Sequence, residues 1–327
     1  MTFSLRPVAC TFLLIALGIC LGGLSGARAA ETTKKIVFLA GPPSHGYAAH
    51  EHNAGCKLLA KWLHESVPGV EAIVYRNQWP TDPAVLENAA AIVIFSDGGQ
   101  RNLAMGHLDE LERLMKQGVG LGCLHYAVEV PKGEPGDDFL RWIGGYFETD
   151  WSVNPTFVAE FKSFPQHPVT RGVKPFAIQD EWYYHMRFPV GMKNVTPVLT
   201  CIPPDATRER PDGSHSNNPT VRAEKGHAEH VAWVIERPDG GRGFGFTGGH
   251  FHWNWAHPSF RKLVLNAILW IAKIEVPQDG VQVATPTLEE LQANLDPKPQ
   301  PKAKGKGKAK PQFDRQKVIE MIEGWQK

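Results

Sequence analysis

Histidine dominates the chemistry available to this chain. Gly118-Val119-Gly120-Leu121-Gly122-Cys123-Leu124 reads as a short apolar strand that stops on His125 and Tyr126. In an open α/β sheet, ligands lie in the crevice beyond the carboxyl ends of the strands. A side chain that ends such a strand is therefore a candidate for chemistry. His45, His50, Glu181, His185 and His250 occupy comparable places at strand ends, in loops or at a helix start. Two chemistries fit. In one, histidines led by His45, His50 and His125, together with a carboxylate, bind Zn²⁺ or another divalent metal and leave a position open. In the other there is no metal, and His125, Glu181 and His250 act as general acid and base. The aromatic residues fit a small carbohydrate, with core packing as the other reading of each ring. Flat rings stack on sugar C–H faces while polar groups take the hydroxyls. Tyr126, Trp182, Tyr183, Trp253 and Trp255, with His45 and His185, are the candidates for that contact. His52, His64, His107, His167, His215, His227 and His257 read as surface or capping residues.

These side chains need a scaffold, and the hydrophobic pattern supplies one. Residues 36–40 are a continuous apolar run, as expected of a parallel strand buried on both faces, and 70–75 and 90–95 read as two further strands. Between them, residues 48–65 and 103–117 have a helical period, which puts His50 on the first turn of the first helix. Strand–helix alternation of this kind predicts a doubly wound, mostly parallel sheet. Further on, residues 131–138 read as a Gly/Pro loop and 139–147 as a short helix and turn. Residues 157–161 alternate like an antiparallel strand. If residues 180–185 are extended, Glu181, Tyr183 and His185 share one face. Residues 195–202 form a strand and 203–227 a long polar surface loop. Two strands, 230–236 and 243–247, pair around the turn at 238–241. Pro258 opens a closing helix.

The 327 residues carry a net charge of +1, which gives no case for a nucleic-acid partner. Arg6, the apolar run 8–24 and the site Ala27-Arg28-Ala29 match a signal peptide over residues 1–30, so export to the periplasm or outside the cell is expected. No later stretch is apolar enough to span a bilayer. Cys10 and Cys20 would leave with the signal. Cys56, Cys123 and Cys201 are too few and odd in number for a disulfide framework. After about Val276 the composition shifts, and residues 297–311 form a Lys/Pro/Gly/Ala linker of disordered type. The expected organisation is a signal at 1–30, one α/β domain at 31–276 and a C-terminal extension at 277–327, with a helical turn or two near 318–325.

Several motifs in this order resemble the ThuA-like (trehalose utilisation) family, a branch of the class I glutamine amidotransferase-like fold. They are His45-Gly46, His50-Glu51, Gly122-Cys123-Leu124-His125-Tyr126-Ala127, Asp180-Glu181-Trp182-Tyr183, Val231-Ala232-Trp233-Val234, Gly241-Arg242-Gly243, Gly248-Gly249-His250 and Asn266-Ala267-Ile268-Leu269-Trp270. The resemblance implies a flavodoxin-like core with antiparallel additions. It places His125 at the strand-to-helix elbow where amidotransferases carry a nucleophilic cysteine. Cys123 is two residues too early, which argues against a Cys-dependent glutaminase. The acidic or amide residue that the family often has after the last histidine is replaced by Phe251 and His252. The resemblance also implies catabolism of trehalose or a related disaccharide, with keto-glycosides as a substrate class and isomerisation, elimination or hydrolysis as the reaction. A non-catalytic periplasmic carbohydrate-binding or sensor module is the alternative.

Overall fold

The computed structural model describes residues 1–4, 33–298 and 314–326. The expected signal peptide and most of the Lys/Pro-rich linker lie outside the described residues. The compact unit from Thr33 onward carries every helix and strand described.

Five strands form the parallel heart of the sheet: β1 (Lys34–Ala40), β2 (Val70–Arg76), β3 (Ala89–Phe95), β4 (Gly120–Leu124) and β9 (Arg242–Phe246). Two more, β8 (Glu229–Glu236) and β7 (Val195–Cys201), extend it antiparallel, giving the order β2-β1-β3-β4-β9-β8-β7. A separate antiparallel ribbon pairs β5 (Thr156–Phe161) with β6 (Phe176–Glu181). This is the doubly wound, mostly parallel architecture with antiparallel additions that the sequence implied. Alternate residues of the central strands enter opposite cores. Phe38, Val93 and Phe95 pack with helix α1 (His52–Ser66) and α5 (Pro258–Ile271), whereas Val37, Leu39, Ile92 and Ile94 pack with α2 (Leu108–Lys116) and α3 (Glu134–Trp142). Strands covered on both faces need apolar side chains at every position, which is why β1, β3 and β4 are continuous runs.

The chain leaves β1 towards β2 on one side and returns to β3 on the other. The crevice at this switch point is where such sheets bind ligands. The loops after β1, β3, β4 and β9 all open on that rim.

Some sequence boundaries need correction. Helix α1 begins at His52, so His50 is not on its first turn; it stands two residues outside, with a left-handed φ of 49°. Helix α2 begins at Leu108, after a 3-10 turn at Gly99–Arg101. Glu134–Trp142 is helix rather than loop, because Pro135 is tolerated in a first helical turn. The stretch 203–227 is not a plain surface loop. It contains a 3-10 turn at Asp205–Arg208 and α4 (Pro219–Ala223), and it is pinned by the buried Arg208, which pairs with Glu229 at 2.8 Å. Beyond Val276 the chain keeps packing: Val281, Leu288 and Leu291 are buried, the latter two on α6 (Leu288–Gln292). Arg315–Gly324 is a ten-residue helix, α7, which buries Val318 and Ile322. Among the described residues, no helix is long and apolar enough to cross a membrane.

Candidate functional site

His125 follows β4 directly, at φ 53°, in the left-handed region that non-glycine residues seldom occupy. The elbow throws its ring to the rim of the sheet, fully buried. Neighbouring backbone must come very close. A side chain on Gly98 would meet the Tyr126 carbonyl oxygen at 2.4 Å, so the loop after β3 can pass only as glycine. On the other side, Gly249 (φ 110°) turns the chain after β9 so that His250 faces His125.

Two loops deliver the remaining imidazoles. Ala49 and Phe251 form a short antiparallel bridge, and the His50 amide donates to the His250 carbonyl at 3.1 Å. Behind this bridge, the fully buried Asp180 organises the 249–254 turn. Its carboxylate accepts from the amides of Gly249 (2.7 Å), His250 (3.1 Å) and Phe251 (3.3 Å) and from Asn254 Nδ2 (3.0 Å). The next residue, Glu181, ends β6 and points the other way, into the cluster.

The facing atoms converge. His50 Nε2 lies 3.0 Å from His125 Nε2 and 3.0 Å from His250 Nδ1. Glu181 Oε2 is 3.2 Å from His250 Nδ1 and 3.6 Å from His125 Nε2, and the Tyr183 hydroxyl is 3.1 Å from His125 Nε2. One donor atom from each of His50, His125, Glu181 and His250 falls within a span of 4.8 Å. Four donors around Zn²⁺ at 2.0–2.1 Å would be separated by roughly 3.3 Å in tetrahedral geometry.

Hydrogen bookkeeping shows why these atoms suit a cation. His125 Nδ1 sits 2.8 Å from the Thr247 carbonyl oxygen, which can only accept, so Nδ1 carries the hydrogen. Burial pushes the ring's pKa well below its ordinary value, so His125 is neutral and Nε2 presents a lone pair. His50 then faces that lone pair through Nε2 and the Asp97 carboxylate through Nδ1, at 3.5 Å. The Tyr183 hydroxyl, 3.1 Å from His125 Nε2, competes with His50 for that lone pair, while Asp97 asks His50 Nδ1 for a hydrogen. A second proton is opposed by burial and by the other imidazoles, which lower the His50 pKa. A cation shared by the Nε2 atoms would leave Nδ1–H for Asp97, the carboxylate–histidine pairing common behind metal ligands. Burial alone would raise the Glu181 pKa, but its hydrogen bond with His250 and the His125 imidazole hold the carboxyl below the usual range.

Asp97, from the loop after β3, was not among the sequence candidates, although Asp97-Gly98-Gly99 closes an apolar run just as His125 does. It accepts from Ser44 Oγ at 2.6 Å and lies 3.7 Å from His45 Nδ1, 3.9 Å from His52 Nε2 and 3.2 Å from Arg101. His45, partly exposed at the mouth, stacks on His50 with 3.6 Å between ring centroids. His215 reaches in from the 203–227 stretch. Its Nε2 is 3.0 Å from both Glu129 carboxylate oxygens, and its ring is edge-on to Tyr126.

The family model for ThuA, trehalose utilisation, matches residues 39–271. The chain belongs to the ThuA family. A ThuA-like protein from Bacteroides uniformis shares its fold at 17% identity, covering 76% of this chain and 95% of the other with a TM-score of 0.51. A ThuA-like protein from Parabacteroides merdae is 14% identical over 78% of this chain and 96% of its own, with a TM-score of 0.49. No curated protein matches.

Within this ThuA chain, the structure brings His45, His50, His125, Tyr126, Glu181, Tyr183 and His250 to one rim. It corrects the other expected contacts. Trp182 is fully buried against Phe161, Phe246 and Phe260, because β6 ends at Glu181 and the next side chain turns into the core. Trp255 is likewise core, edge-on to Phe95 and Phe260. Trp253 lines a different groove, with Met321 and Trp325 of the C-terminal segment. The extended reading of 180–185 fails at His185, whose φ is 58°; its ring bonds Glu224 at 3.0 Å and stacks on Trp151. The ligand group His45, His50, His125 is also revised. His45 does not share the four-donor set; Glu181 and His250 do. Of the residues read as surface or capping, His52 is buried and His215 is half-buried against Glu129, whereas His257 does cap α5.

Two expected results follow from burial in this domain. Cys123 is fully buried on β4, and burial pushes its thiol pKa up. Alkylation of Cys123 in the native protein, followed by peptide mass spectrometry, is expected to be negligible and to become complete in denaturant; rapid native labelling would contradict this packing. His52, His252 and His257 are held by burial at about 4, below the ordinary 6.5. The unfolded chain therefore binds protons that the folded one refuses. Stability is full above 6.5 and is lost as pH falls from there towards 4. The urea midpoint, followed by circular dichroism, should drop between pH 7 and pH 5; an unchanged midpoint would refute that sign.

Proposed function

We propose that this ThuA-family chain is an exported, metal-assisted enzyme that acts on a disaccharide or keto-glycoside. The observation that carries this reading is the convergence of three imidazoles and the Glu181 carboxylate, with His50 Nε2 3.0 Å from ring nitrogens of both His125 and His250 and its Nδ1 turned to Asp97. His50, His125, His250 and Glu181 would hold the ion. A divalent cation there supplies Lewis acidity towards a sugar oxygen and eases loss of a proton from the adjacent carbon.

The protein groups divide the remaining work by access. His125 has no exposed surface, whereas the Glu181 side chain is 19% exposed and lines an open cleft of about 530 Å³ with Asn154, Thr156, Thr207 and Arg210. Glu181, kept ionised, would hold the ion through Oε2, the oxygen that faces His125 and His250, which leaves Oε1 as the better placed base for the carbon next to a ketone. The Tyr183 hydroxyl, whose pKa burial raises well above its ordinary value, stays protonated and would be able to donate to a substrate oxygen. His45 and Tyr126 border the mouth and are available to sugar hydroxyls. His125 occupies the elbow that, in glutamine amidotransferase-like proteins, carries the nucleophile. Here that place is filled by an imidazole, which fits ligand or acid–base duty and not thioester formation.

The test is metal analysis of the purified protein, followed by incubation of the zinc-loaded form with a 3-keto-disaccharide and chromatography of the products. One equivalent of bound metal and a product whose formation needs it are expected. Failure to retain or bind any divalent ion would remove the metal reading. Calorimetric binding of the sugar with no product over hours would assign the chain to the binding-module alternative.

A further inference from the structure

The family match ends at residue 271, yet the chain beyond it returns to the site. Leu288 and Leu291 bury against the body, and the Leu291 carbonyl accepts from His252 Nε2 at 2.9 Å. Asn294 takes Asn53 Nδ2 on its carbonyl at 3.0 Å and Lys57 Nζ on its side chain at 3.1 Å. Asp296 and Lys298 then close on the residue next to His50. Glu51 is fully buried. Its Oε1 accepts from the Ala48 amide at 2.9 Å and lies 3.2 Å from Lys298 Nζ, while Oε2 accepts from the Asp296 amide at 3.1 Å. The Lys298 ammonium also donates to the His50 carbonyl at 3.0 Å and to the Ala49 carbonyl. Its side chain is 3% exposed.

The loop held in this way is one that needs holding. His45, Ala48 and His50 all have left-handed φ values, between 49° and 58°, without being glycine. Such residues persist only where the surroundings over-determine them. The backbone bridge to Phe251 fixes one side of the loop. On the other side, three carbonyl and amide groups of residues 48–50 end on Glu51 and Lys298. A buried ion pair is weak evidence for stability and is better explained where it fixes one conformation. This one holds the backbone carbonyl of His50 itself.

We propose that Lys298, paired with Glu51, is a positioning residue that fixes the His50 loop, so that the segment after the family domain completes its site. The effect on metal binding rests on the metal reading above; the effect on the loop does not.

The experiment compares Lys298→Met and Lys298→Arg in the full-length protein, by hydrogen exchange of a peptide covering residues 46–52 and by zinc titration. Lys298→Met keeps the apolar stem and removes the charge. Exchange at residues 48–52 is expected to quicken at least about tenfold, with most other peptides unchanged. Zinc affinity is expected to fall about tenfold, as for other groups that orient ligands. Lys298→Arg should restore much of both. Wild-type exchange in Lys298→Met would overturn the proposal. So would a loss of protection spread over the whole domain, which would mark Lys298 as a general structural residue. If the wild type binds no zinc, the metal reading fails by itself and the exchange comparison still decides on Lys298. Glu51→Gln, which keeps the shape and removes the partner charge, should reproduce the exchange result; a protected loop there would also count against it.

Discussion

Replacing His125 with alanine is expected to weaken zinc binding by a factor of a hundred or more. Structural zinc in small sites is bound with roughly 10–16 kcal/mol, so one of four ligands accounts for about 3 kcal/mol. His125 should be at the upper end, because its Nδ1–H is anchored to the Thr247 carbonyl and its lone pair is already aimed. A ligand fixed in advance loses little freedom on binding. Competition against a chromophoric chelator gives the affinity, and circular dichroism checks the fold. Product formation from the keto-sugar should vanish together with the metal. His125→Ala protein that binds zinc within threefold of wild type would remove His125 from the ligand set. Cys123→Ala, two residues earlier, should change neither quantity, since its thiol faces the core.

The largest expected loss of stability lies at Asp180, which touches no candidate substrate. Its carboxylate collects three backbone amides of the 249–251 turn and the Asn254 side chain, all from a fully buried position. Asp180→Ala would leave those donors without acceptors. Each buried donor so orphaned costs about 1–3 kcal/mol, so a total on the order of 4 kcal/mol is expected, even with some rearrangement. Equilibrium unfolding in urea measures it. Asp180→Asn retains one acceptor oxygen and should fall between alanine and wild type. If Asp180→Ala unfolds within 1 kcal/mol of wild type, about the median for any substitution, the turn does not depend on this carboxylate. His250 should also be mispositioned, so the alanine variant should bind zinc more weakly than its stability alone explains.

Much of the architecture could be read in the sequence because strands buried on both faces leave an unambiguous trace. The runs at β1, β3 and β4 and the apolar faces of α1 and α5 stand clear of their surroundings. His125 and His250 were visible for a related reason, since each follows such a run directly. What the sequence concealed was direction. Glu181 and Trp182 are adjacent, and one faces the cluster while the other enters the core; period-two reasoning allows this but cannot say which goes where. His185 left its expected face because a single left-handed residue breaks the alternation. Nothing in its sequence context singles out Asp97, because an aspartate before two glycines looks like an ordinary turn. Lys298 could not be found at all, since nothing local ties a lysine in a Lys/Pro-rich region to a glutamate near the beginning of the domain. The aromatic cluster misled for a physical reason as well: indole rings serve core packing and sugar stacking equally well, and Trp182 and Trp255 took the first role.

His50 and His250 meet ring to ring although 200 positions separate them. Contacts between segments so far apart are costly to close early, and chains built on them fold slowly. A rim closed by such contacts is expected to assemble last, after the α/β layers have docked. A newly made chain would carry a finished scaffold before it carried a working rim. Refolding experiments should see secondary structure return well ahead of any property of the histidine cluster.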